Sequence, residues 1–221
     1  MKREILTYYD LVNIKASENN ERLVSLNQVT AEIVCQYEKK DMFIYTGQEI
    51  FVRETVAKML LEASQLLKKI NSNFRLKVVY GYRHPDVQRA YFEKRKADII
   101  KKAPELSSDD LSAKTHLFVA APDVAGHIVG GAVDLTIITN NSDLDMGTSI
   151  ADYLDDEKIQ TFSESINEDQ RKNRMLLHDL MKQVGFAPFY GEWWHFSYGD
   201  KEWAAFYKKS RSIYSSIDFR K

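Results

Sequence analysis

The sequence predicts an α+β fold, with a small central antiparallel sheet flanked by helices and one domain over residues 1–221. Three observations predict it. Two long stretches carry apolar residues at helical spacing, several short apolar runs have strand length, and the two kinds alternate without repeating βαβ units. A chain of 221 residues can bury one substantial core and would be cramped as two domains.

Residues 1–30 are polar and weakly patterned and read as an N-terminal extension, with a strand expected over 31–37. From Val52, the apolar positions Val56, Met59, Leu60, Ala63, Leu66, Leu67 and Ile70 recur at helical spacing, and Asn71 to Asn73 end the run. Leu76 to Tyr80 is a short apolar strand leading into Gly81-Tyr82-Arg83-His84-Pro85. Pro85 suits a first helical turn, so a second helix is expected from there towards Lys101. Residues 103–124, with two prolines and Ser-Ser-Asp-Asp, read as a loop.

Ala132 to Ile138 reads as a strand behind the Gly130-Gly131 pair. Residues 143–170 are acidic and read as a solvated lobe or lid. A helix over 167–184 puts Met175, Leu176, Leu180, Met181 and Val184 on one face, and Gly185 stops it. The aromatic run 186–198 is expected to be the last central strand.

Hydrophobic residues make up 44% and charged residues 29%, the balance of an ordinary globular chain. A formal net charge of −1 gives no electrostatic case for nucleic acid or an anionic membrane as partner. Cys35 is the only cysteine, so neither an internal disulfide nor a multi-thiolate metal site is available. No apolar run has the length of a secretory signal or of a membrane span, about 20 residues, so a cytoplasmic protein is expected. Nothing in the sequence fixes an oligomeric state.

Any metal site must therefore come from the five histidines and the carboxylates. Catalytic zinc takes three protein ligands and leaves a fourth position open. His127 and Asp134 lie seven apart across Gly130-Gly131, a spacing that lets a loop-to-strand turn fold one beside the other. Asp134 interrupts an apolar strand, where an unpaired carboxylate costs several kcal/mol. A buried ion pair or a turn cap accounts for it as well as a metal does, and a loop histidine satisfied by its neighbours accounts for His127.

Glu192 and His195 lie among bulky aromatics in Gly-Glu-Trp-Trp-His-Phe. An i,i+3 pair points to opposite faces of a regular strand, so both address one site only if Glu192 sits where a turn meets the strand. An aromatic core strand with Glu and His at its rim fits the same residues. Arg83, at the end of an apolar strand, could bind a carboxylate or an oxyanion, or form a surface ion pair. His178 falls on the polar side of a helix, His116 in a loop, and His84 has no comparable setting.

Taken in order, Gly81-Tyr82-Arg83, Gly126-His127-Ile-Val-Gly-Gly-Ala-Val-Asp134-Leu-Thr, Leu144-Asp-Met-Gly-Thr148 and Glu192-Trp-Trp-His195-Phe196 resemble the D-alanyl-D-alanine dipeptidases, within the wider zinc D,D-peptidases and carboxypeptidases. The resemblance spans residues 30 to 198 or so. It implies one zinc per chain held by His127, Asp134 and His195, Glu192 as general base, Arg83 stabilising the tetrahedral intermediate, and a small D-amino-acid peptide as substrate. A carboxypeptidase releasing D-Ala from longer peptidoglycan peptides is the alternative. Three positions depart from the pattern. Ala125 stands where the family usually has Ser, and Tyr80 where the dipeptidases have Asp. Ala151 stands where an Asp holds the substrate ammonium, and a one-residue shift would bring Asp152 to that role.

Overall fold

In the computed structural model, residues 4–140 and 142–221 are described. Before the first long helix the chain forms α1 (Tyr8–Leu11), β1 (Leu23–Ser25), α2 (Leu26–Val29), β2 (Val34–Cys35), α3 (Phe43–Thr46) and β3 (Phe51–Arg53). Then come α4 (Glu54–Ile70), β4 (Arg75–Tyr80), α5 (Pro85–Lys102), α6 (Ser108–His116), β5 (Ala132–Ile138), α7 (Glu168–Gln183), β6 (Ala187–Pro188), β7 (His195–Ser197) and α8 (Lys201–Phe206).

The central sheet has the order β2-β4-β5-β7-β6, antiparallel throughout except for the parallel pair β2–β4. The α+β architecture thus matches the sequence expectation, with one parallel edge added. Within the stretch read as an extension, residues 4–30 join the fold: β1 pairs with β3 in a second, two-stranded sheet, and Leu11 and Leu26 are buried. The strand expected over 31–37 shrinks to two residues.

α4 forms as its spacing dictates. Val56, Met59, Leu60, Ala63 and Leu67 face the main core, Glu54 lies in the first turn, and Lys68 and Lys69 lie in the last, each complementing the helix dipole. It starts at Glu54 rather than Val52, because Val52 and Arg53 belong to β3. α7 opens on a reciprocal cap: Asn167 Oδ1 accepts the Gln170 N–H at 2.9 Å, and Gln170 Oε1 accepts the Asn167 N–H at 3.0 Å.

Two expectations need correction. The stretch read as a loop contains α6, nine residues capped by Ser107, whose hydroxyl accepts the Asp110 N–H at 3.2 Å. Its prolines lie at 104 and 122, outside the helix, so they frame it rather than break it. The aromatic run is not one strand but two, β6 and β7, joined by a turn. Trp193 and Trp194 lie in that turn and are buried in the main core, so their size and burial do not require a strand. No helix among the described residues is long and apolar enough to cross a membrane.

β5 lies at the centre of the sheet, flanked by β4 and β7. Val133, Leu135 and Ile137 point to the main core, which leaves Asp134 on the other face. On the paired strand β4, Leu76 and Val78 share the core face opposite Ile137 and Leu135. A register shift between Val78 and Tyr80 then sets Tyr80 opposite Asp134. This bulge turns Tyr80 away from the core and towards the Asp134 face, and re-aiming a side chain beside a site is a common use of a bulge.

Candidate active site

Asp134 and His195 are direct cross-strand partners of β5 and β7, so the pairing register alone puts their side chains on one face within reach of each other. His195 Nδ1 lies 3.0 Å from Asp134 Oδ1. His127 arrives from a single 3₁₀ turn, His127–Val129, before β5. Its Nε2 lies 3.3 Å from Asp134 Oδ2. The two imidazoles stand at 79° with centroids 5.0 Å apart.

The glycine pair makes this turn possible. Gly130 has φ +72°, in the left-handed region, and a Cβ on Gly131 would lie 2.3 Å from the Tyr198 carbonyl oxygen. The chain reverses in the space those two side chains would fill and returns His127 to Asp134.

One ligand atom from each of His127, Asp134 and His195 falls within a 4.8 Å span, and all three residues are buried. Their hydrogen bonds suit a metal. His127 Nδ1 donates to the Gly81 carbonyl at 2.7 Å, which leaves the Nε2 lone pair facing Asp134. His195 Nε2 faces Glu202 Oε2 at 3.2 Å, so a proton there leaves Nδ1 as the ligand atom. Burial alone would disfavour ionised Asp134, yet the two histidines hold its carboxyl well below the usual range. Burial pulls the His127 pKa down, which keeps it neutral. For His195 burial acts the same way, but Glu202 and Asp134 outweigh it and raise its pKa. Two imidazoles and one carboxylate form a donor set that zinc takes in tetrahedral sites with an open position.

Glu192 lies in the turn before β7, as its spacing from His195 requires, and lines the same cavity. Burial, with Asp134 adding to it, raises its pKa to about 7, and the Tyr153 hydroxyl bonds its carboxyl. Arg83 also lines this cavity of about 200 Å³. Its Nη1 donates to Gln88 Oε1 at 2.8 Å, and its guanidinium lies 4.5 Å from the Tyr80 ring centroid. All five residues singled out by the sequence therefore meet at one place.

The departures acquire a local explanation. The Tyr80 hydroxyl donates to Asp41 at 2.8 Å, and Tyr91 bonds the same carboxylate oxygen. Asp152 is not among the residues that line the cavity: its Oδ1 accepts the Leu154 N–H at 3.2 Å, and Tyr153 lines the cavity instead. Among the described residues, the cavity carboxylates are Asp134, Glu192 and Glu202.

Sequence reasoning missed Glu202, His116 and the cavity face of α5. Glu202 lies in the first turn of α8, which Asp200 caps by accepting the Trp203 N–H at 2.8 Å, and it also accepts from the Ser197 hydroxyl at 3.1 Å. An isolated Glu seven residues past a histidine carries no spacing signal. Gln88, Tyr91 and Arg95 did carry one, recurring three and four apart along a predicted helix. His116 ends α6 rather than sitting in a loop and lines the cavity. His178, expected on a polar helix face, is buried against Phe162 and Tyr190.

A family model described as D-ala-D-ala dipeptidase matches residues 19–213. A D-alanyl-D-alanine dipeptidase of Synechocystis sp. is 26% identical over 200 residues, covering 79% of this chain and 80% of that protein. Its counterpart in Escherichia coli (strain K12) is 31% identical over 94 residues, covering 38% of this chain and 48% of that protein. Among solved structures, the LdcB LD-carboxypeptidase superposes with a TM-score of 0.46 at 20% identity, covering 85% of this chain and 72% of that one. That last likeness is too distant to bear on activity.

Proposed function

The chain belongs to the D-ala-D-ala dipeptidase family of zinc peptidases, and from this premise we propose that it hydrolyses the D-alanyl-D-alanine dipeptide at one zinc ion held by His127, Asp134 and His195. The observation that carries the reading is the convergence of those three ligand atoms within 4.8 Å, beside Glu192 in the same cavity.

Zinc bound there supplies a Lewis acid that polarises the scissile carbonyl and acidifies water. Glu192 takes the proton of the attacking water and delivers it to the leaving amine. A carboxyl near pKa 7 is suited to both transfers at neutral pH. Arg83, protonated at any physiological pH, faces the charge that develops on the carbonyl oxygen. Tyr153 holds the Glu192 carboxyl in place through its hydroxyl. His127 and His195 are aimed by donating their other ring protons to Gly81 and Glu202, which turns the opposite nitrogen of each ring towards the metal position.

Release of D-alanine from D-Ala-D-Ala by the zinc-loaded protein, and its loss on chelation, tests the reading. No turnover with zinc bound stoichiometrically would reject it. A second reading, removal of D-Ala from a longer peptide, is favoured by one feature: among the described residues, no cavity carboxylate beyond Asp134, Glu192 and Glu202 stands ready for a free ammonium. Comparing turnover of the free dipeptide with that of its N-acylated analogue separates the two, and preference for the blocked substrate selects the second.

A further inference from the structure

α5 turns Gln88, Tyr91 and Arg95 to the cavity. Gln88 is fully engaged, accepting from Arg83 and donating to the Ala120 carbonyl at 2.7 Å. Arg95 is not. Among the described residues no hydrogen bond or ion pair reaches it, and its Nε is buried without a partner. Its guanidinium lies 3.9 Å from the Phe118 ring centroid, a stack that fixes its plane while leaving its N–H edge unused.

The lining of the same cavity carries a second unused donor. His116 is only 6% exposed, and its Nδ1 accepts the Ala121 N–H at 3.1 Å. An accepting Nδ1 puts the ring proton of the neutral imidazole on Nε2, and that N–H is what the ring offers the cavity. Ala125, also on the lining, adds no hydroxyl. Lys39 and Arg83 lie 5.3 and 5.4 Å from the centroid of the Tyr91 ring, so the α5 side of the cavity is cationic as well as donor-rich. The lining carboxylates are occupied elsewhere: Asp134 by the two histidines, Glu192 by Tyr153, and Glu202 by His195 and Ser197. Arg95 is half-buried, with only its Nε fully enclosed, and a planar carboxylate is the ligand group that matches a guanidinium fork left without a partner.

We propose that Arg95 and the Nε2–H of His116 form an anion subsite within this cavity that takes a carboxylate of the substrate. The identity of the ligand as a peptide rests on the peptidase reading above; the subsite itself rests on the two unused donors. The carboxylate can be the C-terminus of the peptide or an acidic side chain of its last residue.

Calorimetric binding to the zinc-loaded Glu192→Gln protein, which holds substrate without turnover, tests this with three probes: D-Ala-D-Ala, its C-terminal amide, and D-Ala-D-Glu amidated at the α-carboxyl. At least one probe carrying a carboxylate is expected to bind about tenfold or more tighter than the D-Ala-D-Ala amide. The free dipeptide doing so assigns the terminal carboxylate, and the amidated D-Ala-D-Glu the side chain. Adding Arg95→Gln or His116→Asn should remove that preference and leave binding of the D-Ala-D-Ala amide unchanged. The asparagine oxygen can still accept the Ala121 N–H, so the wall keeps its backbone bond. Equal binding of all three probes, binding of none, or an undiminished acid preference in the Arg95→Gln protein overturns the subsite. A preserved acid preference with no hydrolysis by the unsubstituted enzyme rejects the peptidase reading instead.

Discussion

His195 and Glu202 are joined through the imidazole nitrogen that does not face Asp134: Nε2 lies 3.2 Å from Glu202 Oε2, while Nδ1 lies 3.0 Å from Asp134 Oδ1. Glu202 thereby decides which nitrogen of His195 carries a proton and which is free to bind a metal. It comes from α8, outside the sheet that carries Asp134 and His195, and Ser197 braces it from β7.

Removing that carboxylate should loosen the metal. Glu202→Ala is expected to weaken zinc binding by about 10- to 100-fold, measured by competition with a chelator. Glu202→Gln retains an acceptor oxygen and should lose less. Unchanged zinc affinity in both variants would show that His195 is oriented without Glu202.

Glu192→Gln separates chemistry from metal binding. The variant should bind zinc one to one and lose about 10²- to 10⁴-fold in kcat on D-Ala-D-Ala. Full turnover would remove Glu192 from the role of base.

The same carboxyl also gives a pH signature in the metal-free protein. Its folded pKa is raised to about 7, above the ordinary 4.5. The protonated form is thus favoured by folding, and its contribution is complete below the unfolded value and lost as pH rises to about 7. Relative to Glu192→Gln, the unsubstituted protein should lose stability between those two pH values and hold a constant difference above them. Denaturant midpoints across that range supply the test, and parallel curves would show that Glu192 titrates normally.

Gly131→Ala should damage the site without touching a ligand. The added methyl lies 2.3 Å from the Tyr198 carbonyl oxygen, a rigid backbone atom, so the turn carrying His127 must move. Zinc affinity is expected to fall, read by chelator competition, and wild-type affinity would show that the turn relaxes without displacing His127.

Leu67→Ala probes the scaffold instead. Leu67 is fully buried on the core face of α4 and far in sequence from every site residue. A loss of about 2–5 kcal/mol in unfolding free energy is expected, with kcat per folded molecule retained. A parallel loss of kcat would show that α4 packing reaches the site.

Where a local rule fixes an element, the sequence specifies it by itself. Apolar spacing defined α4 and α7, Pro85 the start of α5, and the run from Ala132 to Ile138 the central strand. The ordered motifs likewise carried His127, Asp134, Glu192, His195 and Arg83, through their resemblance to a known family; burial and spacing alone left an ion pair, a cap or a rim position as good an account of each. Tertiary structure alone decided how those groups meet. The β5–β7 register places Asp134 opposite His195, the bulge at Val78 and Tyr80 turns Tyr80 to the site face, and α8 brings up Glu202. α6 was hidden by flanking prolines, and the unused donors of Arg95 and His116 became visible only once their neighbours were in place. The physical reason is range: propensity and periodicity act within a few residues, whereas ligand geometry and unmet hydrogen bonds are set by groups brought together from distant parts of the chain.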